Sequence, residues 1–332
     1  MTSWRVTRPG IFAPCLLLLL LPACDGPQSA LAPAGREAEL LADLFWIMLA
    51  GAVVLWLAIN GLMFYVTRIN VGHMPRRLAE GIIIGGGIVF PVIVLAALLG
   101  YGLTLMPLTR VPGDGLRIRV TGEQWWWRVE YWPEGAEAPV VAANEVRLPS
   151  GRRTDIELAA HEVIHSFWIP ALGGKTDMFP GRDTLMTLEP LTPGVYRGQC
   201  AEFCGESHAL MAFQAVVLPE EEFADWLEAE AAPARPPSGP LEAAGQEVFL
   251  AQGCGACHTV RGTPATGAVG PDLTHVGSRL TIGAGTLPPT AEALANWIAH
   301  PGTIKPGVEM PSYDELAPDD LAALAAWLEG LE

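Results

Sequence analysis

Basic charge is scarce in this chain. Its 332 residues carry 20 Lys and Arg against 36 Asp and Glu, a formal net charge of −16. A surface of that sign repels a phosphate backbone and excludes nucleic acid as a partner. Spare cysteine is lacking too. Of the six cysteines, Cys15 lies inside an N-terminal leader and Cys24 ends it. The other four form two close pairs, Cys200/Cys204 and Cys254/Cys257. None is left over for a structural disulfide, which six cysteines in an exported chain would otherwise suggest. Histidine is missing from both long apolar runs, Leu40 to Val66 and Gly81 to Pro107, so neither run holds a histidine-ligated haem or metal.

Half of the chain is apolar, and much of that apolarity gathers in three early runs. Ile11 to Leu21 is too short to span a bilayer and follows Arg5 and Arg8. This is the pattern of a bacterial export signal over residues 1–24. Leu21-Pro22-Ala23-Cys24 resembles a lipoprotein cleavage box, which makes Cys24 the lipidated residue; ordinary signal cleavage nearby is the alternative. The two longer runs each exceed the roughly 20 residues of a spanning helix and predict a two-helix transmembrane hairpin over 40–107. Arg68, Arg76 and Arg77 in the connecting loop hold that loop in the cytoplasm. Residues 108–332 are therefore expected on the periplasmic or outer side of a bacterial cytoplasmic (inner) membrane, anchored by a multi-pass segment. The excess acidity lies in that outer part, either as an ordinary solvated surface or as a docking face for a basic partner.

From Leu116 the pattern turns to alternation. Leu116, Ile118 and Val120 fall on one side of a strand, with Arg117 and Arg119 on the other, and Val146/Leu148 and Ile156/Leu158 repeat it. Short strands with Gly and Pro punctuation predict an antiparallel β-sandwich or barrel over 108–219. In Trp125-Trp126-Trp127, Trp126 is expected to face opposite its neighbours. Glu220 to Glu230 reads as a short acidic helix with Phe223, Trp226 and Leu227 on its apolar face. It opens a linker segment over 220–240, whose Ala231–Pro240 end is proline-rich and semi-stiff. Residues 241–332 show amphipathic helices over Leu241–Ala251, Thr290–His300 and Pro318–Leu331, with Trp297, Trp327 and Leu328 as core and Thr290 as an N-cap.

Two constellations carry chemistry. The first is Cys200-Ala-Glu-Phe-Cys204-Gly-Glu-Ser-His208-Ala-Leu-Met211. Soft thiolates select copper or zinc, and imidazole suits both. A thioether is a poor zinc ligand but a familiar weak copper ligand, so the set favours copper. With His165 as a second imidazole, two thiolates bridging two coppers would use all four strong donors. Met211 and the carbonyl of Glu202 would then be weak axial contacts. The second is Cys254-Gly-Ala-Cys257-His258, the attachment signature of c-type haem. Two thioethers and one axial imidazole come from the motif. Met310, the only methionine after it, is expected as the sixth ligand. His275 and His300 are rivals expected at the surface. His161 is expected to be structural or solvated, and Met178 and Met186 to be core.

Residues 40–230 closely resemble subunit II of the haem–copper cytochrome c oxidases. The matching stretches are Gln124-Trp125-Trp126-Trp127, Val163 to Pro170, Lys175-Thr176-Asp177, Pro180-Gly181-Arg182 and the Gln199–Met211 segment. The resemblance implies a cupredoxin-like domain holding the bridged dicopper centre CuA through His165, Cys200, the Glu202 carbonyl, Cys204, His208 and Met211. It implies Trp125 as the point where electrons enter, and the Glu202 side chain as a ligand to magnesium at the interface with subunit I. Where the family has Trp-Tyr-Trp, this chain has Trp126 in the middle. Residues 241–332 resemble class I cytochromes c, an all-α fold, and Gly270-Pro271-Asp272-Leu273 resembles their haem-edge loop.

The whole then reads as a membrane-anchored subunit II fused to cytochrome c, as in caa-type oxidases. It would pass electrons from cytochrome c, or an upstream quinol–cytochrome c reductase, through haem c and CuA to haem a of subunit I. That partner would reduce oxygen to water and pump protons, with subunit III as a further partner. With no intramembrane histidine, the oxygen-reducing site is not in this chain. The alternatives are the electron-input subunit of a CuA-containing nitric oxide reductase, and a non-catalytic copper carrier or assembly protein. The quinol oxidase subunit is disfavoured, because it lacks the copper ligands.

Overall fold

The structure, a computed structural model, describes residues 25–332 apart from positions 70, 71 and 73. The expected export segment, with Cys15 and the expected lipidation site Cys24, lies outside the described residues.

Two helical stretches, Arg36–Ile69 and Arg76–Leu105, are long and apolar enough to cross a membrane. Their large apolar side chains, Val54, Trp56, Ile83 and Leu99 among them, face outward. Such a surface is disfavoured in water and accepted by lipid, and the helix satisfies its own backbone there. The first stretch is α-helical over Arg36–Phe64 and π-helical over Tyr65–Ile69. The second contains a π-helical segment, Ile82–Val89, that includes Gly85-Gly86-Gly87. Helix Arg36–Phe64 begins before the apolar run because its first turn is built into the β-domain. Glu37 is buried there, its carboxylate accepting from the Glu189 N–H at 2.9 Å and lying 3.4 Å from the Arg153 guanidinium. The Arg36 N–H donates to the Glu189 carbonyl at 2.9 Å.

The β-domain is a sandwich of two five-stranded sheets. One sheet has the order β3 (Val140–Ala143), β2 (Trp126–Trp132), β1 (Arg117–Glu123), β5 (Thr154–Ala160), β8 (Thr184–Leu188). The other has the order β4 (Glu145–Pro149), β10 (Ala212–Leu218), β9 (Gly194–Cys200), β6 (His165–Trp168), β7 (Thr176–Met178). Alternation places Ile118, Val120, Ile156 and Leu158 inward, all fully buried. The pairing is antiparallel except for β1–β5 and β10–β4, which run parallel. Alternation tells which face a residue takes and says nothing of strand direction. Met178 is buried in this core and Met186 packs against it.

The two sheets meet on aromatic rings. Phe167 and Phe213 stack with centroids 4.7 Å apart, and Trp127 meets both edge-on at 5.7 and 5.2 Å. Gly198 on β9 makes room for that stack. A Cβ there would stand 2.1 Å from the Phe213 ring. Gly198→Ala is therefore expected to destabilise the domain by about 1–3 kcal/mol through overpacking, read as a lower thermal midpoint. An unchanged midpoint would mean the ring has space that this packing denies it.

The acidic helix spans Glu220–Ala231 and turns its apolar face to the sandwich. Trp226 and Phe223 lie 5.0 and 6.3 Å from Tyr131 by ring centroid. Beyond it, helices Pro240–Ala251, Ala291–Ala299, Pro301–Ile304 and Pro318–Glu329 surround a second core of Phe249, Leu294, Ile298, Leu324, Trp327 and Leu328. Trp297 is only partly buried against it. The Thr290 hydroxyl accepts from the Ala293 N–H at 3.3 Å, an N-cap as predicted. Helices Pro240–Ala251 and Pro318–Glu329 touch at Gly245, where a Cβ would meet the Ala323 carbonyl at 2.1 Å.

The proline-rich segment, expected to be semi-stiff, is bonded at its start to the helical domain: Arg261 exchanges main-chain and side-chain bonds with Glu230, Ala232 and Ala234. One expectation needs correction: His275 is buried and not at the surface. Its ring nitrogens face the Glu332 and Ala232 carbonyls, each at 3.1 Å. The chain end and the linker close over it, a contact between segments far apart in sequence.

Candidate metal and haem sites

Strand β9 ends at Cys200, and the loop to β10 carries Glu202, Cys204, His208 and Met211. Strand β6 begins at His165 and pairs alongside, with Phe167 opposite Cys200. This pairing brings a histidine from a distant segment to the cysteine loop. His165 Nδ1 lies 3.7 Å from Cys200 Sγ, and Cys200 Sγ lies 3.7 Å from Cys204 Sγ. Cys204 Sγ lies 3.5 Å from His208 Nδ1 and 3.8 Å from Met211 Sδ. Cys200 Sγ also faces the Glu202 carbonyl at 3.1 Å. The donors thus form a row of imidazole, thiol, thiol and imidazole, with a carbonyl on one sulfur and a thioether on the other. The thiols are free, their separation far beyond the roughly 2.05 Å of a disulfide.

His165, Cys200, Cys204 and Met211 are buried, and Glu202 and His208 are half-buried. His165 is fully buried, and its other nitrogen, Nε2, has no partner among the described residues. Gly122 leaves space for the ring; a Cβ there would stand 2.8 Å from His165 Cδ2. The thiol of Cys204, hydrogen-bonded to Cys200, draws the Cys200 pKa down to about 3. The same pairing, together with burial, pushes Cys204 far up. Without a counter-charge the pair accommodates one thiolate and resists the second. Cations between the sulfurs would relieve that repulsion, and two metals fit a donor row of this composition.

Around the row, Trp125 is buried, and its indole N–H donates to the Cys204 carbonyl at 3.0 Å, as does Gln124 Nε2 at 2.8 Å. Trp126 faces outward beneath Arg128, whose guanidinium lies 4.7 Å from the ring centroid. Trp127 is fully buried, so the alternation holds. Phe203, at the tip of the loop, is 75% exposed. The Glu202 carboxylate is exposed beside Lys175 at 3.8 Å, and belongs to no three-donor cluster among the described residues. His161 stays away from the row, exposed and 3.1 Å from Glu123.

In the helical domain, Cys254 and Cys257 flank a single turn, and both are free thiols. His258 Nδ1 lies 2.7 Å from the Pro271 carbonyl. A carbonyl only accepts, so Nδ1 carries the proton and Nε2 is left with its lone pair for a metal. Burial holds the His258 pKa below its ordinary value, which keeps the ring neutral, as ligation requires. Gly270 permits the ring's position, since a Cβ there would stand 2.6 Å from His258 Cε1. Met310 and Tyr313 lie half-buried against the same core as Cys254. His300 is exposed.

Sequence reasoning missed Lys305. It is buried, and burial pushes its pKa down to about 7 against the pull of the nearby Cys204 sulfur. The available signal was rarity: Lys175 and Lys305 are the chain's two lysines.

Comparison with known proteins agrees with both halves. Residues 116–218 match the family model described as cytochrome c oxidase subunit II, periplasmic domain. Residues 242–332 match the model described as cytochrome c. The chain is 28% identical to a cytochrome c oxidase subunit 2 of Bacillus subtilis, over 99% of this chain and 98% of that one. It is 36% identical to a cytochrome c oxidase subunit 2 of Alkalihalophilus pseudofirmus, with 95% of each chain covered. Identity sustained across the anchor helices, the sandwich and the helical domain together means that this chain belongs to the cytochrome c oxidase subunit II family, in a form fused to cytochrome c.

Proposed function

We propose that this chain is the electron-input subunit of a membrane-bound, proton-translocating cytochrome c oxidase, held by two spanning helices with residues 108–332 on the outer side. When bound, haem c and a dinuclear copper centre, CuA, supply one-electron carriage from cytochrome c or a quinol–cytochrome c reductase towards haem a of subunit I, where oxygen becomes water.

The row His165, Cys200, Cys204, His208 is the observation that carries this reading. Its two thiols stand 3.7 Å apart with an imidazole beyond each. Cys200, Cys204, His165 and His208 would hold the coppers as the strong donors, with Met211 and the Glu202 carbonyl as weaker ones. Cys254 and Cys257 would attach the haem, and His258 and Met310 would ligate it. Trp125 would be the point of electron entry; its indole N–H donates to the Cys204 carbonyl, which supports that reading. Exposed Phe203 and Glu202 lie at the tip of the ligand loop. They offer a face for subunit I, with the Glu202 carboxylate as a ligand to a shared magnesium. Subunit III completes the assembly.

The direct test is metal content and electron paramagnetic resonance of the purified, haem-loaded protein. Two coppers sharing one unpaired spin are expected. A single copper or a zinc overturns the reading. Met211→Leu is expected to keep the copper pair but weaken copper retention by at least the roughly 10–100-fold that loss of an outer partner costs, and to shift its spectrum. An unchanged spectrum with full copper would remove Met211 from the ligand set.

A further inference from the structure

The helical domain meets the sandwich at Arg261, which donates to the Val141 carbonyl, at Ala268, whose carbonyl accepts from Arg128, at the Leu280 N–H, which donates to Glu145, and through two loops, one around residues 282–286 and one around 305–308. The Ala212 N–H donates to the Ala284 carbonyl at 3.0 Å, and the Ser207 hydroxyl donates to the Pro306 carbonyl at 2.5 Å. Gly307 lies so close to Trp125 that a Cβ on it would stand 2.7 Å from the indole. The indole face is therefore covered by the chain's own second domain.

Between these loops sits Lys305, 2% exposed. Its ammonium donates to the Trp125 carbonyl at 2.6 Å and to the Gly283 carbonyl at 3.0 Å. One acceptor belongs to each domain. Lysine is seldom buried, because removing its charge from water costs several kcal/mol unless partners replace the lost hydration. A helical domain that was merely tethered would leave this side chain in solvent. Trp125 in turn donates to the Cys204 carbonyl at 3.0 Å. Trp125 is therefore bonded at its main-chain carbonyl to the helical domain and at its indole to a residue of the thiol pair.

We propose that Lys305 is a positioning residue for electron transfer between the domains. By joining the Gly283 and Trp125 carbonyls it seats the haem domain on the Trp125 face and reserves that face for it. A soluble donor must then reduce the haem first. This rests on the electron-input reading above. The net step is one electron leaving the ferrous haem iron and one entering the oxidised copper pair, with the ammonium proton staying on Lys305. A tether alone raises effective concentration; a seated domain also fixes separation and orientation, on which transfer depends steeply.

The first test uses the unaltered chain. The metal-loaded protein is treated with an amine-acetylating reagent, and its two lysines are read by mass spectrometry. Lys175, whose side chain is 46% exposed, is expected to label at least about tenfold faster than Lys305, as local protection requires. Equal labelling overturns the seated domain, whatever the electron route. The second test mixes ferrous soluble cytochrome c with the whole oxidase carrying Lys305→Met or Lys305→Gln. Donor-to-haem reduction is expected within about twofold of the parent. Haem-to-copper transfer is expected to slow by about tenfold or more in Lys305→Met, and by less in Lys305→Gln, which keeps an N–H donor. Parent-like transfer in both variants overturns the role of Lys305 and leaves the electron-input reading standing. Failure of the parent's haem to reduce its copper overturns that reading itself. If a variant does not fold, the labelling result decides.

Discussion

Cys200→Ser is expected to abolish the copper pair and, with it, electron delivery to the partner subunit. Cys200 touches three other members of the donor set, as many as Cys204 does. Its sulfur faces His165 Nδ1, the Cys204 sulfur and the Glu202 carbonyl. A serine hydroxyl is a hard, short donor that does not ionise at neutral pH, so it neither bridges nor offsets the metal charge. The loss in copper affinity should exceed the roughly 10–100-fold that follows when only an outer partner is removed. Copper analysis and electron paramagnetic resonance check this directly. The haem absorbance should be untouched, because the Cys254-Cys257-His258 turn belongs to the helical domain, where Cys254 packs against a separate core. Full copper with an unaltered signal in the variant would show that Cys200 does not bridge.

Trp127→Ala is expected to cost about 3–5 kcal/mol, the range for truncating a buried aromatic. That is a large share of the roughly 5–15 kcal/mol that holds a domain folded. The Trp127 ring meets Phe167, Phe213 and His165 at centroid distances of 5.7, 5.2 and 6.2 Å. Its removal opens a void between the sheets and takes away one wall of the His165 pocket. The sandwich's thermal midpoint should fall by roughly 10–20 °C, and copper retention should fall with it. Trp126→Ala is the internal control. That ring lies outside under Arg128, so its loss should cost no more than about 1 kcal/mol. Similar midpoints for the two variants would contradict the assignment of Trp127 to the core.

What was legible in the sequence followed from locality. Cys200, Glu202, Cys204, His208 and Met211 lie on one short loop, so their chemistry reads directly from spacing. The Cys254-Cys257-His258 turn is legible for the same reason. Strand alternation assigned Ile118, Val120, Ile156 and Leu158 to the core because a side-chain period of two is a property of the backbone. His165 is a different case. Nothing in its own neighbourhood distinguishes it from His161, and family resemblance had to single it out. In three dimensions the pairing of β6 with β9 makes the choice, placing His165 against Cys200 and leaving His161 beside Glu123.

The places where expectation failed share one cause. His275 reads as a surface histidine, yet Glu332 and Ala232 close over it. Nothing local to Lys305 marks it, yet it ends buried and bonded to the Trp125 carbonyl. Each depends on segments meeting that lie far apart along the chain, and no local pattern encodes such a meeting.

By itself, then, the sequence determined the donor types, the two apolar helices, the inward faces of the strands and the division into copper-type and haem-type halves. These depend on residue chemistry and on periodicities that each element carries internally. Only the tertiary structure decided which strands run parallel, and that the second domain rests on Trp125 through a buried lysine. These depend on which surfaces exclude water from one another, and that is settled when the whole chain packs.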